Sequence, residues 1–199
     1  MTVVQRFEPE PPTDENRIEA AITEIIEALG EDPSREGLRE TPERVARMYA
    51  EVFSGLQQDP LQVLQTGFEE AYDEMVVARD ISFFSMCEHH FMPFFGSVHI
   101  GYIPTGRIVG ISKLARVADI LARRPQVQER LTAQIADALV DGLSPVGVGV
   151  VIEAEHLCMV MRGVKRPGSK IVTSVNRGCF RSDPRSRMEF LSLAGLQGR

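Results

Sequence analysis

Tryptophan is absent from this chain, and only three tyrosines, three cysteines and four histidines are spread through its 199 residues. Three cysteines cannot build a disulfide framework, so a hydrophobic core must hold the fold together. No apolar run approaches the roughly twenty residues that cross a bilayer, and residues 1–12 lack the apolar segment of a secretion signal. The expectation is a cytoplasmic protein with no membrane partner, in a reducing compartment that keeps thiols free. An excess of basic residues is also missing: 22 Lys and Arg face 28 Asp and Glu, for a formal charge of −6. That balance argues against a nucleic-acid partner and leaves room for a local basic pocket that takes a small anion.

Several chemical signatures fail in informative ways. Residues 101–107 imitate a phosphate loop but continue as Arg107-Ile108, where lysine and a hydroxyl residue are required. Gly147-Val148-Gly149 lacks the third glycine of a dinucleotide fingerprint. The histidine-x-glutamate and Cys-x-x-Cys pair of zinc nucleobase deaminases is missing, as are the two histidines four apart of the zincins.

What is present is 43% hydrophobic and 25% charged, ordinary for one globular domain. Residues 1–13, with Pro9, Pro11 and Pro12 among charges, read as a flexible tail. Ile18, Ile22, Ile25 and Leu29 recur at helical spacing from Asp14 to a capping Gly30. Thr41-Pro42 opens a second helix, with Thr41 as N-cap and Val45, Met48, Val52 and Phe53 as its buried stripe. Strands are expected over 74–84 and 96–103. Ser112 reads as the cap of a helix burying Leu114, Val117, Ala118 and Leu121; after Pro125 another helix buries Val127, Leu131, Ile135, Ala138 and Leu139 and stops at Gly142. Strands follow over 146–152 and 156–162, with a short one over 170–175, and Asp183-Pro184 caps a last helix with Met188, Leu191 and Ala194 inward. The class is α+β: strand, strand, helix, helix, strand, strand, behind a helical region at 14–73 and within a unit spanning 74–199.

Chemistry concentrates in Cys87-Glu88-His89-His90 and in His156-Leu157-Cys158, which hold every cysteine and histidine except His99 and Cys179. Thiolate and imidazole are zinc ligands, and Cys87 and His90, three residues apart in one turn, can face the same ion, with Cys158 as the third. Three protein ligands leave a position for water, the pattern of a catalytic site. Period-two alternation over 156–162 puts His156, Cys158 and Arg162 on one strand face, so His156 stands beside the metal as a proton carrier, with His89 a second candidate. The competing reading of the two cysteines is a disulfide, which needs an oxidising compartment. His99 and Cys179 read as packing residues.

Lys113 and Arg116 lie beside the free amides of a helix start, an arrangement suited to phosphate, and Arg44 is a cation in another first turn. Glu129 falls off its helix's apolar stripe and on spacing alone is a solvated acid.

Four segments in order, Cys87-Glu88-His89-His90, Gly110-Ile111-Ser112-Lys113-Leu114-Ala115-Arg116, Arg124-Pro125-Gln126-Val127-Gln128-Glu129-Arg130-Leu131 and His156-Leu157-Cys158-Met159 through Arg162-Gly163-Val164, resemble the GTP cyclohydrolase I family. The likeness runs from about Asp14 to Leu193 and includes Thr41-Pro42-Glu43-Arg44. It implies the tunnelling fold, with an antiparallel four-stranded sheet whose copies join into an oligomeric barrel, two stacked five-membered rings, and active sites between subunits. It implies zinc as the cofactor, held by Cys87, His90 and Cys158, and conversion of GTP and water to formate and 7,8-dihydroneopterin triphosphate. By the same resemblance His156 protonates N7, His89 assists opening of the ribose and Ser112 contacts it. Lys113, Arg116, Arg162 and Arg44 hold the triphosphate, and Glu129 accepts the guanine N1 and N2 protons. Two other classes stay open: a zinc-bearing binding protein of this fold without turnover, and another tunnelling-fold enzyme acting on a pterin or deazapurine.

Overall fold

The computed structural model describes residues 12–196, so the tail read at 1–13 lies outside the described residues except for Pro12 and Thr13. Helix α1 (Glu15–Ala28) starts where Asp14 accepts a hydrogen bond from the Arg17 amide, and it ends as Gly30 takes a left-handed φ of 83°. Helix α2 (Thr41–Val52) packs against it. A 3-10 turn at Ser54–Gln57 leads to the short helix α3 (Pro60–Leu64) and to strand β1 (Gly67–Glu69).

Two long strands follow, β2 (Val76–Cys87) and β3 (Met92–Ile103), then β4 (Arg107–Val109), which pairs with β1. Helix α4 (Ile111–Ala122), the two-residue β5 (Pro125–Gln126) and helix α5 (Gln128–Leu143) come next. The chain finishes with β6 (Gly147–His156), α6 (Leu157–Val160), β7 (Lys170–Gly178), α7 (Cys179–Ser182) and α8 (Pro184–Leu193).

The main sheet has the order β5-β2-β3-β6-β7; its four long strands are antiparallel and β5 runs parallel to β2. The expected α+β class and four-stranded antiparallel sheet are therefore observed, with β5 added at one edge. Alternation drives the layering. Phe83 of β2, Phe94, Val98, Ile100 and Tyr102 of β3, and Val148, Val150 and Ile152 of β6 enter one core with Leu114, Val117 and Leu121 of α4 and Leu131, Ile135 and Leu139 of α5. On the opposite face Val151 meets Phe180, Phe190 and Ala194 in a smaller cluster.

The structure corrects several local expectations. The strand read at 146–152 runs on to His156, where its pairing with β3 ends at Phe94 and that with β7 at Lys170, and no strand forms over 157–162. An unpaired strand has nothing to satisfy its amides, and the chain turns into α6. Cys158 is therefore on a helical turn and Arg162 beyond it, not on a strand face shared with His156. Ser112 and Thr41 lie inside first turns rather than at N-caps, those positions being Gly110 and Glu40. Met188 faces outward while Phe190 fills the inward position. Ile25 and Leu29 are 53% and 77% exposed, and Ile26 is the residue that α1 buries.

Gly142 does not end α5, which runs on to Leu143 and stops at Ser144 in the left-handed region with φ 48°. The glycine instead makes room for the fully buried Leu64, since a Cβ there would lie 2.5 Å from Leu64 Cδ1. Gly142→Val should therefore destabilise the fold by about 1–3 kcal/mol through overpacking, read as a lower urea midpoint with an unchanged slope. An unchanged midpoint would show that α3 shifts freely against α5.

Candidate active site

Register assembles the site at one end of the sheet. Cys87 is opposite Met92 across the β2–β3 turn, Phe94 is opposite His156, and Cys87 also pairs with Gln126 of β5. The turn that carries the ligands is closed by the Phe91 amide donating to Cys87 O at 2.8 Å, with Phe91 itself at φ 50°. That strained conformation is held from outside: the Phe91 ring packs 5.4 Å from Phe53 and edge-on to Tyr49, so α2 buttresses the turn. From the other side the Glu88 amide donates to Gln126 O at 3.0 Å, and Arg130 of α5 donates twice to the Glu88 carboxylate, at 2.6 and 2.7 Å. The Arg130 guanidinium pulls the Glu88 carboxyl below its usual range.

The three expected ligands come together. One donor atom from each of Cys87, His90 and Cys158 lies within 4.8 Å of the others, with Cys87 buried, Cys158 half-buried and His90 exposed. Metal–sulfur bonds of about 2.3 Å and metal–nitrogen bonds of about 2.0–2.1 Å hold tetrahedral ligand atoms roughly 3.5–3.8 Å apart, so a small inward movement suffices. The donor set itself calls for a cation. Burial, and then the neighbouring Cys87 thiol, push the Cys158 thiol up, which makes paired thiolates unfavourable until a positive ion sits between them. Disulfide pairing is not what the structure holds, all three cysteines being free.

His156 is prepared differently. Its ring stacks on Phe94, centroids 4.6 Å apart and planes 3° from parallel, and its Nε2 is 2.8 Å from Gln128 Oε1. Burial lowers its pKa, while the nearby Glu129 carboxylate works in the opposite direction. His89 is exposed, its Nδ1 3.9 Å from Cys87 Sγ. Arg162 reaches back to the ligand turn, Nη1 3.1 Å from His90 Nε2.

Other expected residues do not join this cluster within the chain. The end of α4 that meets β2 near the site is Ala122, whose carbonyl accepts from Ser85 Oγ at 2.7 Å. Ser112 and Lys113 occupy the other end, the rise from Ser112 to Ala122 being roughly 15 Å, and Arg116 lies midway along the helix. Arg44 is exposed and ion-paired with Glu40 one turn away.

Gln128, which sequence reasoning passed over, is a deeply buried polar group here at 2% exposed. Its signal was present: Gln128, Leu131, Ile135 and Leu139 share a helical stripe, and a glutamine on an otherwise apolar stripe needs partners. His99 is a buried strand residue whose Nδ1 accepts from the Asp80 amide at 3.4 Å, in line with a packing role.

An α+β fold that brings two cysteines and a histidine together at a sheet end, beside a histidine held off the ligand set, defines a protein with a candidate three-ligand metal centre of the catalytic type. The model of GTP cyclohydrolase I matches residues 18–195. A protein of Dehalococcoides mccartyi named GTP cyclohydrolase 1 is 60% identical over 187 residues, covering 93% of this chain and 99% of the relative. Its namesake in Geobacillus kaustophilus is 60% identical over 178 residues, 89% of this chain and 95% of the relative. Among solved structures, the archaeosine synthase QueF-Like in the apo form aligns with a TM-score of 0.42 at 16% identity, over 55% of this chain and 97% of its own, too slight a likeness to bear on the fold. This chain belongs to the GTP cyclohydrolase I family.

The ligand assignment makes a direct prediction. Metal analysis of purified protein should find one ion per chain in the wild type and in His156→Ala, and less than a tenth of that in Cys158→Ala. Full metal content in Cys158→Ala would remove Cys158 from the ligand set.

Proposed function

We propose that this chain works as a zinc-dependent GTP cyclohydrolase I, with the roles below assigned to individual residues. The activity is that of its family, an enzyme taking GTP and water. The observation that carries the residue assignment is the convergence of the Cys87, His90 and Cys158 donor atoms within 4.8 Å at the sheet end where His156 is held and Glu129 begins α5.

Cys87, His90 and Cys158 hold the zinc, which supplies Lewis acidity and makes water a nucleophile near neutral pH. His156, kept neutral by burial, moves a proton to guanine N7 as water adds at C8, and hydrolysis of both C8–N bonds then releases C8 as formate. Glu129 accepts the guanine N1 and N2 protons, and its proximity to His156 supports placing the base between them. His89 assists opening of the ribose, Ser112 contacts the sugar during rearrangement, and Lys113, Arg116, Arg162 and Arg44 bind the triphosphate of GTP and of the product, 7,8-dihydroneopterin triphosphate.

The separation of the two groups of residues supports a site shared between chains. Ser112 and Lys113 sit at the end of α4 opposite to the one that meets β2, with Arg116 midway, so a second copy brings their site together. Both outer edges of the sheet, β7 and the region of β2 beyond β5, are strand edges available for another copy, which supports closing the sheets into the tunnelling-fold barrel and a decamer of two stacked rings. Residues 14–73 form the helical region of this assembly and 74–199 its catalytic unit. No described helix is long and apolar enough to cross a membrane, and the assembly is assigned to the cytoplasm.

Incubation of zinc-loaded protein with GTP should release one formate per GTP and give a pterin that fluoresces after oxidation; unchanged GTP would overturn the proposal. Two inactive variants, Lys113→Ala and Cys87→Ala, should regain activity when reassembled together, since mixed oligomers contain sites intact in both halves. Absence of rescue, or a fully active monomer by light scattering, would place the whole site within one chain. Glu129→Ala should raise the GTP dissociation constant at least tenfold by calorimetry and narrow the preference over ATP while zinc stays bound, because an unpaired buried donor costs about 1–3 kcal/mol. Unchanged affinity would return Glu129 to the solvated surface.

A further inference from the structure

Gln128 is the second-row partner of His156, and its own hydrogen bonds leave it no freedom. Its Nε2 lies 3.1 Å from Ile152 O, 3.0 Å from Ile171 O and 3.1 Å from Thr173 Oγ1. Main-chain carbonyls only accept, so the nitrogen end of the amide must face β6 and β7 and the oxygen end must face His156. The two threonines tighten the argument. Thr132 Oγ1 is spent donating to Gln128 O at 2.7 Å, so in the 2.6 Å contact between Thr132 and Thr173 the proton belongs to Thr173. Thr173 Oγ1 is thereby left as an acceptor for the Gln128 amide. Every proton in this ring of groups has one direction.

That direction ends on the histidine. An amide oxygen 2.8 Å from His156 Nε2 can only accept, so Nε2 carries a proton. Among the described residues Nδ1 has no hydrogen-bond partner, and the Phe94 ring lies flat against the imidazole, so the ring sits in one plane with Nε2 directed at Gln128.

We propose that Gln128 is a positioning residue that fixes His156 in the tautomer protonated on Nε2, so that Nδ1 is the nitrogen that handles the substrate's proton. This rests on the reading of His156 as the proton carrier. When water adds across the C8–N7 double bond of guanine, its oxygen bonds to C8 as the π bond breaks. The lone pair on Nδ1 takes the proton that the water loses, and N7 receives a proton from Nδ1. The ring ends as it began, with Nε2–H directed at Gln128 throughout, and no oxidant or further reactant is required. Without Gln128 the neutral ring would divide between two tautomers, one of which carries its proton on the wrong side for accepting a second.

The test separates this assignment from the activity itself. Solid-state 15N spectra of zinc-loaded, histidine-labelled protein, with the His156 signals assigned by His156→Ala, should show a protonated Nε2 and an unprotonated Nδ1 in the wild type, without substrate. A wild-type ring protonated on Nδ1 overturns the proposal whether or not the enzyme turns over GTP, whereas absence of formate release alongside the expected tautomer would fault only the functional reading. Gln128→Met should leave zinc content intact and KM for GTP within twofold while lowering kcat at least tenfold, with both tautomers visible. Gln128→Glu, whose buried carboxyl is kept neutral and so retains the acceptor and one donor, should recover at least a third of the lost rate and the single tautomer. Wild-type kcat in Gln128→Met, or no recovery in a Gln128→Glu variant that shows the single tautomer, would overturn it.

Discussion

Strand β3 is paired on both sides over most of its length, to β2 between Val76 and Cys87 and to β6 from Gly147 to His156, and the site depends on that double register. Slipping either pairing by one residue would turn Cys87 or His156 to the opposite face of the sheet. Register is specified by burial: Phe94, Val98, Ile100 and Tyr102 of β3 are all buried on the helix side, and so are Ile152, Val150 and Val148 opposite the last three on β6. The apolar core thus does more than stabilise. It sets which thiol and which imidazole meet.

Around that frame the ligand turn is fastened at several points of different chemistry. Backbone pairing joins it to β5, the Glu88–Arg130 ion pair joins it to α5, and the Phe91 ring joins it to α2. An exposed ion pair alone adds little. The two-point guanidinium geometry adds direction, because Arg130 follows Gln128 and Glu129 in one helical turn. The turn that carries Cys87 and His90, the Glu129 carboxylate and the partner of His156 are therefore parts of one corner.

Much of this was legible in the residues. Cys87, His90 and Cys158 were identifiable because thiolate and imidazole together at short spacing have few other uses, and the strand-helix order followed from apolar periods of two and 3.6. The extent of the last strands was not legible, since His156 to Arg162 alternates in sequence and β6 ends at His156 where its pairings with β3 and β7 end. Gly142 read as a stop signal because its real neighbour, Leu64, lies far away in sequence. Gln128 escaped notice because its partners come from β6 and β7, beyond the reach of any local pattern. Glu129 gained a role only through resemblance, as an exposed carboxylate carries no local mark of what it binds.

The β3–β6 pairing also governs the order in which the molecule can be built. The β2–β3 and β6–β7 pairs join neighbouring strands, and isolated hairpins close in roughly 1–10 μs. Joining β3 to β6 must wait for α4 and α5 to be threaded between them, a long-range contact of the kind that slows folding. Cys87 and His90 belong to the first half and Cys158 to the second. A complete ligand set therefore exists only once the slow step is done, so an ion captured there favours the finished chain over every earlier intermediate by mass action.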